Sequence, residues 1–154
     1  MSGVVGRRLR LLVGTLYAVL CTIACQVGPG KDISSTQPYA SLIGTKYIVD
    51  TNDLYAYGVM ESLDDKTVSY VELIPAPPML SGPEFAFRRP LYRRAVIRLV
   101  SAWDQSTAID QRIYYAVEVE GADLPKGVQV RLRFAQENKG SGVELSPKVY
   151  KRVE

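Results

Sequence analysis

The clearest pattern in the chain lies between Ile113 and Phe134, where apolar and polar positions alternate with a period of two. Ile113, Tyr115, Val117 and Val119 alternate with Tyr114, Ala116, Glu118 and Glu120, and Val128, Val130, Leu132 and Phe134 alternate with Gln129, Arg131, Arg133 and Ala135. Successive side chains of a strand point to opposite faces, so this period predicts two half-buried β-strands. Residues 121–127 (GADLPKG) between them are a turn-rich connection, which makes the pair a hairpin. Both apolar sets share a face only if the paired residue numbers sum to an odd value. A sum of 249 sets Val119 beside Val130, Val117 beside Leu132 and Glu118 beside Arg131, so charge pairing and apolar pairing agree.

Six further segments have the same texture. Residues 45–49, 54–60, 68–74, 84–88, 95–102 and 148–153 are dense in Val, Ile, Tyr and Leu and are bounded by Gly, Pro, Asn or Asp. The run 95–102 is nearly continuous in apolar character, as expected of a central strand covered on both faces. Residues 68–74 are similar but for Glu72. Pro75, Pro77, Pro78 and Pro83 then argue against ladder pairing and predict a long extended loop. No amphipathic segment of helix length stands out, and residues 60–66 (MESLDDK) read as a polar hairpin loop or a single helical turn. The expected fold is all-β: one domain over residues 42–154, built as a small antiparallel barrel of SH3-like type or as a sandwich of six to eight strands.

Upstream of Leu42 the pattern changes. Residues 25–41 are rich in Gly, Ser, Thr, Gln and Pro with no apolar period, the composition of a flexible tether. Before them, Arg7, Arg8 and Arg10 precede an uncharged run over 11–24 that ends in the small residue Ala24, the layout of an export signal over residues 1–24. Such a run is shorter than the roughly 17 to 25 residues of a spanning helix, which favours cleavage over a permanent anchor. Thr22-Ile23-Ala24-Cys25 resembles the lipobox of bacterial lipoproteins, although Thr22 stands where that family usually has Leu. The resemblance implies lipid on Cys25, which becomes the mature N-terminus and holds the protein on a membrane. Gln26 in place of Asp implies, in that family, onward export to the outer membrane. The alternative is ordinary cleavage after Ala24 and a soluble secreted product.

The signal also changes the electrostatic picture. The chain has 19 Lys and Arg against 16 Asp and Glu, and the excess of three is accounted for by Arg7, Arg8 and Arg10. The expected mature chain is neutral, so a general electrostatic attraction to nucleic acid is not expected. The only two cysteines, Cys21 and Cys25, fall in or beside the signal, so no internal disulfide is expected. The sequence contains no histidine, which excludes Ser-His-Asp and Cys-His catalysis and imidazole metal sites. No metal or cofactor is expected.

Four arginines, Arg88, Arg89, Arg93 and Arg94, flank Pro90-Leu91-Tyr92 and form a candidate anion or partner site, because guanidinium grips carboxylate and phosphate with paired donors. A solvated turn balanced by Asp and Glu elsewhere on a neutral domain is the favoured reading of this stretch. Ten tyrosines against three phenylalanines suit half-buried strands and, where exposed, sugar stacking or a protein interface. Asp64, Asp65, Asp104, Asp110, Glu118 and Glu120 are the carboxylates that a histidine-free hydrolase could use, the least favoured function. The expected function is a non-catalytic envelope lipoprotein that binds an envelope protein or cell-wall component through a β-surface. A secreted carbohydrate- or anion-binding module is the alternative.

Overall fold

The computed structural model describes residues 30–75, 81–133 and 138–153. The signal, Cys25 and the start of the tether lie outside this range, as do most of the proline-rich loop and the end of the last alternating run. The described chain is all-β. Nine strands form one sheet: β1 (Lys31–Asp32), β2 (Lys46–Val49), β3 (Leu54–Val59), β4 (Tyr70–Pro75), β5 (Phe85–Leu91), β6 (Val96–Asp104), β7 (Ile113–Glu120), β8 (Gln129–Arg133) and β9 (Tyr150–Arg152). Their order across the sheet is β5-β3-β4-β8-β7-β6-β2-β9, and β1 pairs with the far end of β6.

Two short connections bend this sheet. Leu91 ends β5 and Val96 begins β6, and Val49 ends β2 while Leu54 begins β3. Each link has a reach of at most about 18 Å, yet the strands it joins stand five places apart in the sheet, about 24 Å if it were flat. The sheet therefore curls until both links close. Arg94 and Ala95 of the first link are hydrogen bonded to Val49, where the two connections meet. Curling stops short of a barrel, since the outermost strands β5 and β9 pair with no further strand among the described residues.

The concave side holds the core. Leu54 and Ala56, Val71 and Leu73, Val130 and Leu132, Tyr115 and Val117, and Ile97 and Leu99 are inward alternate positions of five neighbouring strands, and all are buried in one cluster. Segments outside the ladder fill the remaining space with Ile33, Leu42, Leu145 and Val149. Two tyrosines fasten those segments to the core. Tyr115 Oη donates to the Val143 carbonyl at 2.8 Å, and Tyr150 Oη donates to buried Asn138 Oδ1 at 2.5 Å. Asn138 in turn donates to the Arg133 carbonyl at 3.0 Å.

Several expectations are corrected. Among the described residues the sheet is open, and it has nine strands with one parallel pair, β4 with β8. The tether is structured from residue 31: β1 pairs with Trp103 and Asp104, Ile33 is buried, and Tyr39–Ser41 make a turn of 3₁₀ helix. The β7 and β8 strands do pair antiparallel with an odd sum, but the sum is 247, which sets Val117 beside Val130 and Ala116 beside Arg131. A slip of two residues leaves every side chain on its own face, so alternation alone does not distinguish the two registers. Glu118 instead faces Arg98 of β6, with Arg98 Nε 3.1 Å from its carboxylate.

Pro90 lies within β5 opposite Tyr55, in a stretch expected to be a turn. β5 is an outermost strand, where the missing N–H of proline can be turned away from the ladder. Gly58 stands opposite Phe87, and a Cβ at residue 58 would lie 2.3 Å from the Phe87 ring. The absent side chain is what lets that ring cover the β3 backbone.

Candidate functional site

The same alternation that points apolar residues inward points a different set outward. On the convex side, β3 presents Tyr55 and Tyr57, β4 presents Tyr70 and Glu72, β8 presents Arg131 and Arg133, β7 presents Tyr114 and β6 presents Trp103. The parallel pairing of β4 with β8 sets Tyr70 beside Gln129 and Glu72 beside Arg131, and β7 sets Tyr114 beside Arg133. Residues more than 30 positions apart in sequence thereby meet on one surface.

These side chains are layered. The Trp103 and Tyr114 rings stack nearly parallel, 8° apart with centroids 6.5 Å apart. The Arg131 guanidinium lies 4.0 Å from the centre of the Tyr70 ring and 4.8 Å from that of Tyr114, so it contacts two aromatic rings. A cation over an aromatic face is attracted by the ring quadrupole and gains more as water is excluded. Arg131 Nε donates to Gln129 at 2.7 Å, whereas its two terminal nitrogens find no acceptor among the described residues. Trp103 Nε1 donates to Ser101 at 2.8 Å. That bond sits at a bulge, where Val100 is the extra residue between the Leu99 and Ser101 pairings.

Glu72 is the buried member of the group, its side chain 8% exposed. Arg133 holds both of its oxygens, at 2.7 and 3.4 Å. Burial nevertheless dominates and pushes the Glu72 carboxyl above its ordinary range, against the attraction of Arg133 and Arg131. Burial likewise raises the Tyr70 and Tyr114 hydroxyls, which keeps them protonated and able to donate. Tyr70, Glu72, Gln105, Arg112, Tyr114, Arg131 and Arg133 surround a hollow of about 70 Å³.

The four arginines picked out by the sequence do not form one patch. Arg88 lies 4.0 Å from the Tyr55 ring centre on the convex side. Arg89, the next residue, donates to the Asp123 carbonyl at 2.9 Å and pairs with the Asp123 carboxylate at 3.3 Å. Arg93 pairs with Asp50 at 2.7 Å, and Lys151 holds the other Asp50 oxygen at 2.6 Å. Those two bonds lower the Asp50 carboxyl, with Lys151 the larger cause. Arg94 serves the turn into β6 with a φ of 80°, and its N–H donates to the Val49 carbonyl. Alternation sends Arg88 and Arg89 to opposite faces, and Arg89 and Arg93 are held by different carboxylates. Arg89 and Pro90 also border a second hollow of about 450 Å³ against Ala122, Asp123 and Leu124.

The constellation at Arg131 and Glu72 is the one that sequence reasoning missed. Its only local signal is Glu72, a charge in an otherwise apolar strand. The carboxylates considered for hydrolysis are largely committed: Asp110 to Arg112, Glu118 to Arg98 and Glu120 to Lys46. Asp64 and Asp65 lie on the exposed connection between β3 and β4. No group of three or more Cys, Asp or Glu side chains suited to a metal ion occurs among the described residues, and no described helix is long and apolar enough to cross a membrane. Compared with known proteins, the chain matches no family model, no curated sequence and no solved structure.

Proposed function

We propose that the protein is a non-catalytic binding module of the cell envelope, exported and lipid-anchored at Cys25, which engages a cell-wall component or envelope protein through the convex face of its sheet. The observation that carries this proposal is the layered array of Trp103, Tyr114, Arg131 and Tyr70 across four strands. Aromatic rings and arginine are the side chains that concentrate binding energy at recognition surfaces. Here they are fixed by strands and by each other, so little ordering entropy remains to be lost when a partner docks. The commitment of Asp110, Glu118 and Glu120 to cations supports a binding role over a carboxylate-driven hydrolysis. The lipid anchor is supported by the Cys25 sequence context alone.

Two measurements test the proposal. Mass spectrometry of the full chain is expected to find acyl groups on Cys25, and Cys25→Ser is expected to move the protein from the membrane to the soluble fraction. An unmodified N-terminus following Ala24 would overturn the anchor. For the binding role, cross-linking in intact envelopes is expected to capture a partner with the native chain and to lose it with Trp103→Ala combined with Tyr70→Ala. Capture unaffected by that pair would remove the convex face from the function.

A further inference from the structure

From the hollow beside Arg131 we infer that the convex face binds a carboxylated glycan, with the carboxylate seated against Arg131 and Arg112 and the sugar ring lying against Trp103. This inference rests on the binding role assigned to that face and names the chemistry of its ligand.

Charge is the first ground. Arg112, Arg131 and Arg133 surround the hollow, with Glu72 as its one lining carboxylate. Arg133 is ion-paired with Glu72, and Arg112 has Asp110 on its Nε, whereas Arg131 makes no ion pair among the described residues. Its Nε is held by Gln129, and the rings of Tyr70 and Tyr114 lie within 5 Å of the guanidinium. Among the described residues the terminal nitrogens have no acceptor, and two parallel donors of a held guanidinium fit a carboxylate. The array is assembled before any ligand arrives, so the ordering cost has been met in folding.

Size and the neighbouring ring decide what carries that carboxylate. A hollow of about 70 Å³ admits a small charged group, since a single water needs about 10–15 Å³ on the same measure. The body of the ligand must then lie outside, over the half-buried Trp103 stacked against Tyr114. A pyranose has an apolar C–H face that packs on an indole and hydroxyls that meet donors around it. Gln105, Tyr70 and Tyr114, all of which carry polar side-chain groups, are among the residues that line the hollow. An acidic peptide has the carboxylate without the flat ring, and a neutral glycan has the ring without the charge.

Trp103 is the sole tryptophan, so its fluorescence reports on this surface directly. The experiment titrates the full chain in detergent with trigalacturonate, with its methyl ester and with triglutamate, by fluorescence and calorimetry. Trigalacturonate is expected to bind and to perturb Trp103. The methyl ester and triglutamate are each expected to bind at least about tenfold more weakly. Arg131→Gln is expected to remove the preference for the acid over the ester, and Trp103→Phe is expected to weaken both sugars together. Lys126→Gln, on the exposed connection between β7 and β8, is expected to change neither. Circular dichroism confirms that each variant is folded before it is scored. Equal binding of triglutamate, equal binding of the methyl ester, or no binding of trigalacturonate overturns the glycan assignment. If envelope cross-linking still depends on Trp103 and Tyr70 in that event, the convex face keeps its binding role; if it does not, both fail.

Discussion

The two faces of the curled sheet are made by the same strands and differ by one residue in phase. On the concave face, Leu54, Val71, Leu73, Ile97, Leu99 and Leu132 are essentially without solvent exposure and touch one another. On the convex face, burial is achieved by layering: Arg131 lies over Tyr114 and Tyr70, Arg88 over Tyr55, and Phe85 packs edge-on to Tyr57 with ring centres 5.4 Å apart. Apolar contact is non-directional, and its close packing leaves no side-chain hydrogen-bond donor free on that face among the described residues. Layers of cations and rings are directional, and they leave hydrogen-bond donors at the surface. The first face holds the fold together. The second is the face to which we assign the proposed binding role.

If that division is right, substitutions on the two faces differ in size. Leu132→Ala, in the centre of the concave face, is expected to cost about 3 kcal/mol of unfolding free energy in urea titration, from lost transfer energy and the cavity left behind. A loss well under 1 kcal/mol would mean that the concave face is not the core. Tyr150→Phe keeps the ring but removes the donor to Asn138 Oδ1, leaving a buried acceptor unmet, and is expected to cost about 1–3 kcal/mol by the same titration.

Glu72 sharpens the comparison, because it is a buried charge on the face that is layered. A carboxyl raised above its ordinary range binds its proton more tightly in the folded state than in the unfolded one. The stability it contributes is therefore full below the ordinary carboxyl range and is lost as pH climbs through the raised value. Glu72→Gln, which imitates the protonated form, is expected to melt at or a few degrees above the native protein at pH 7 and to coincide with it in acid. Scanning calorimetry across pH checks this, and a native protein that is the more stable at pH 7 would show that the Arg133 pair outweighs burial. The smallest effect is expected for Arg98 and Glu118, both substantially exposed: a double-mutant cycle to Ala should give a coupling below about 1 kcal/mol.

Much of the fold was legible in the chain. The strand β7 begins and ends at the residues its alternation predicts, and β3, β4 and β6 lie within two residues of their expected bounds. Alternation is a local property and survives any arrangement of the strands, which is why it could be read directly. Pro90 was misread for the converse reason, since whether a proline can sit in a strand depends on that strand being outermost. Lys31 and Asp32 have no apolar period and become a strand only because the end of β6 offers an unpaired edge. Arg88 and Arg89, adjacent in sequence, fall on opposite faces because neighbouring side chains of a strand alternate.

By itself, then, the sequence determined that this is an all-β domain, which residues of β7 and β8 face inward, and that histidine chemistry is excluded. Tertiary structure alone decided the strand order, the parallel β4–β8 pair and the register of β7 on β8. Those features depend on contacts between distant residues, chosen by competition among several strands for the same partners. The juxtaposition of Glu72 and Tyr70 with Arg131 and Tyr114 exists only because that competition was resolved in favour of β8 between β4 and β7.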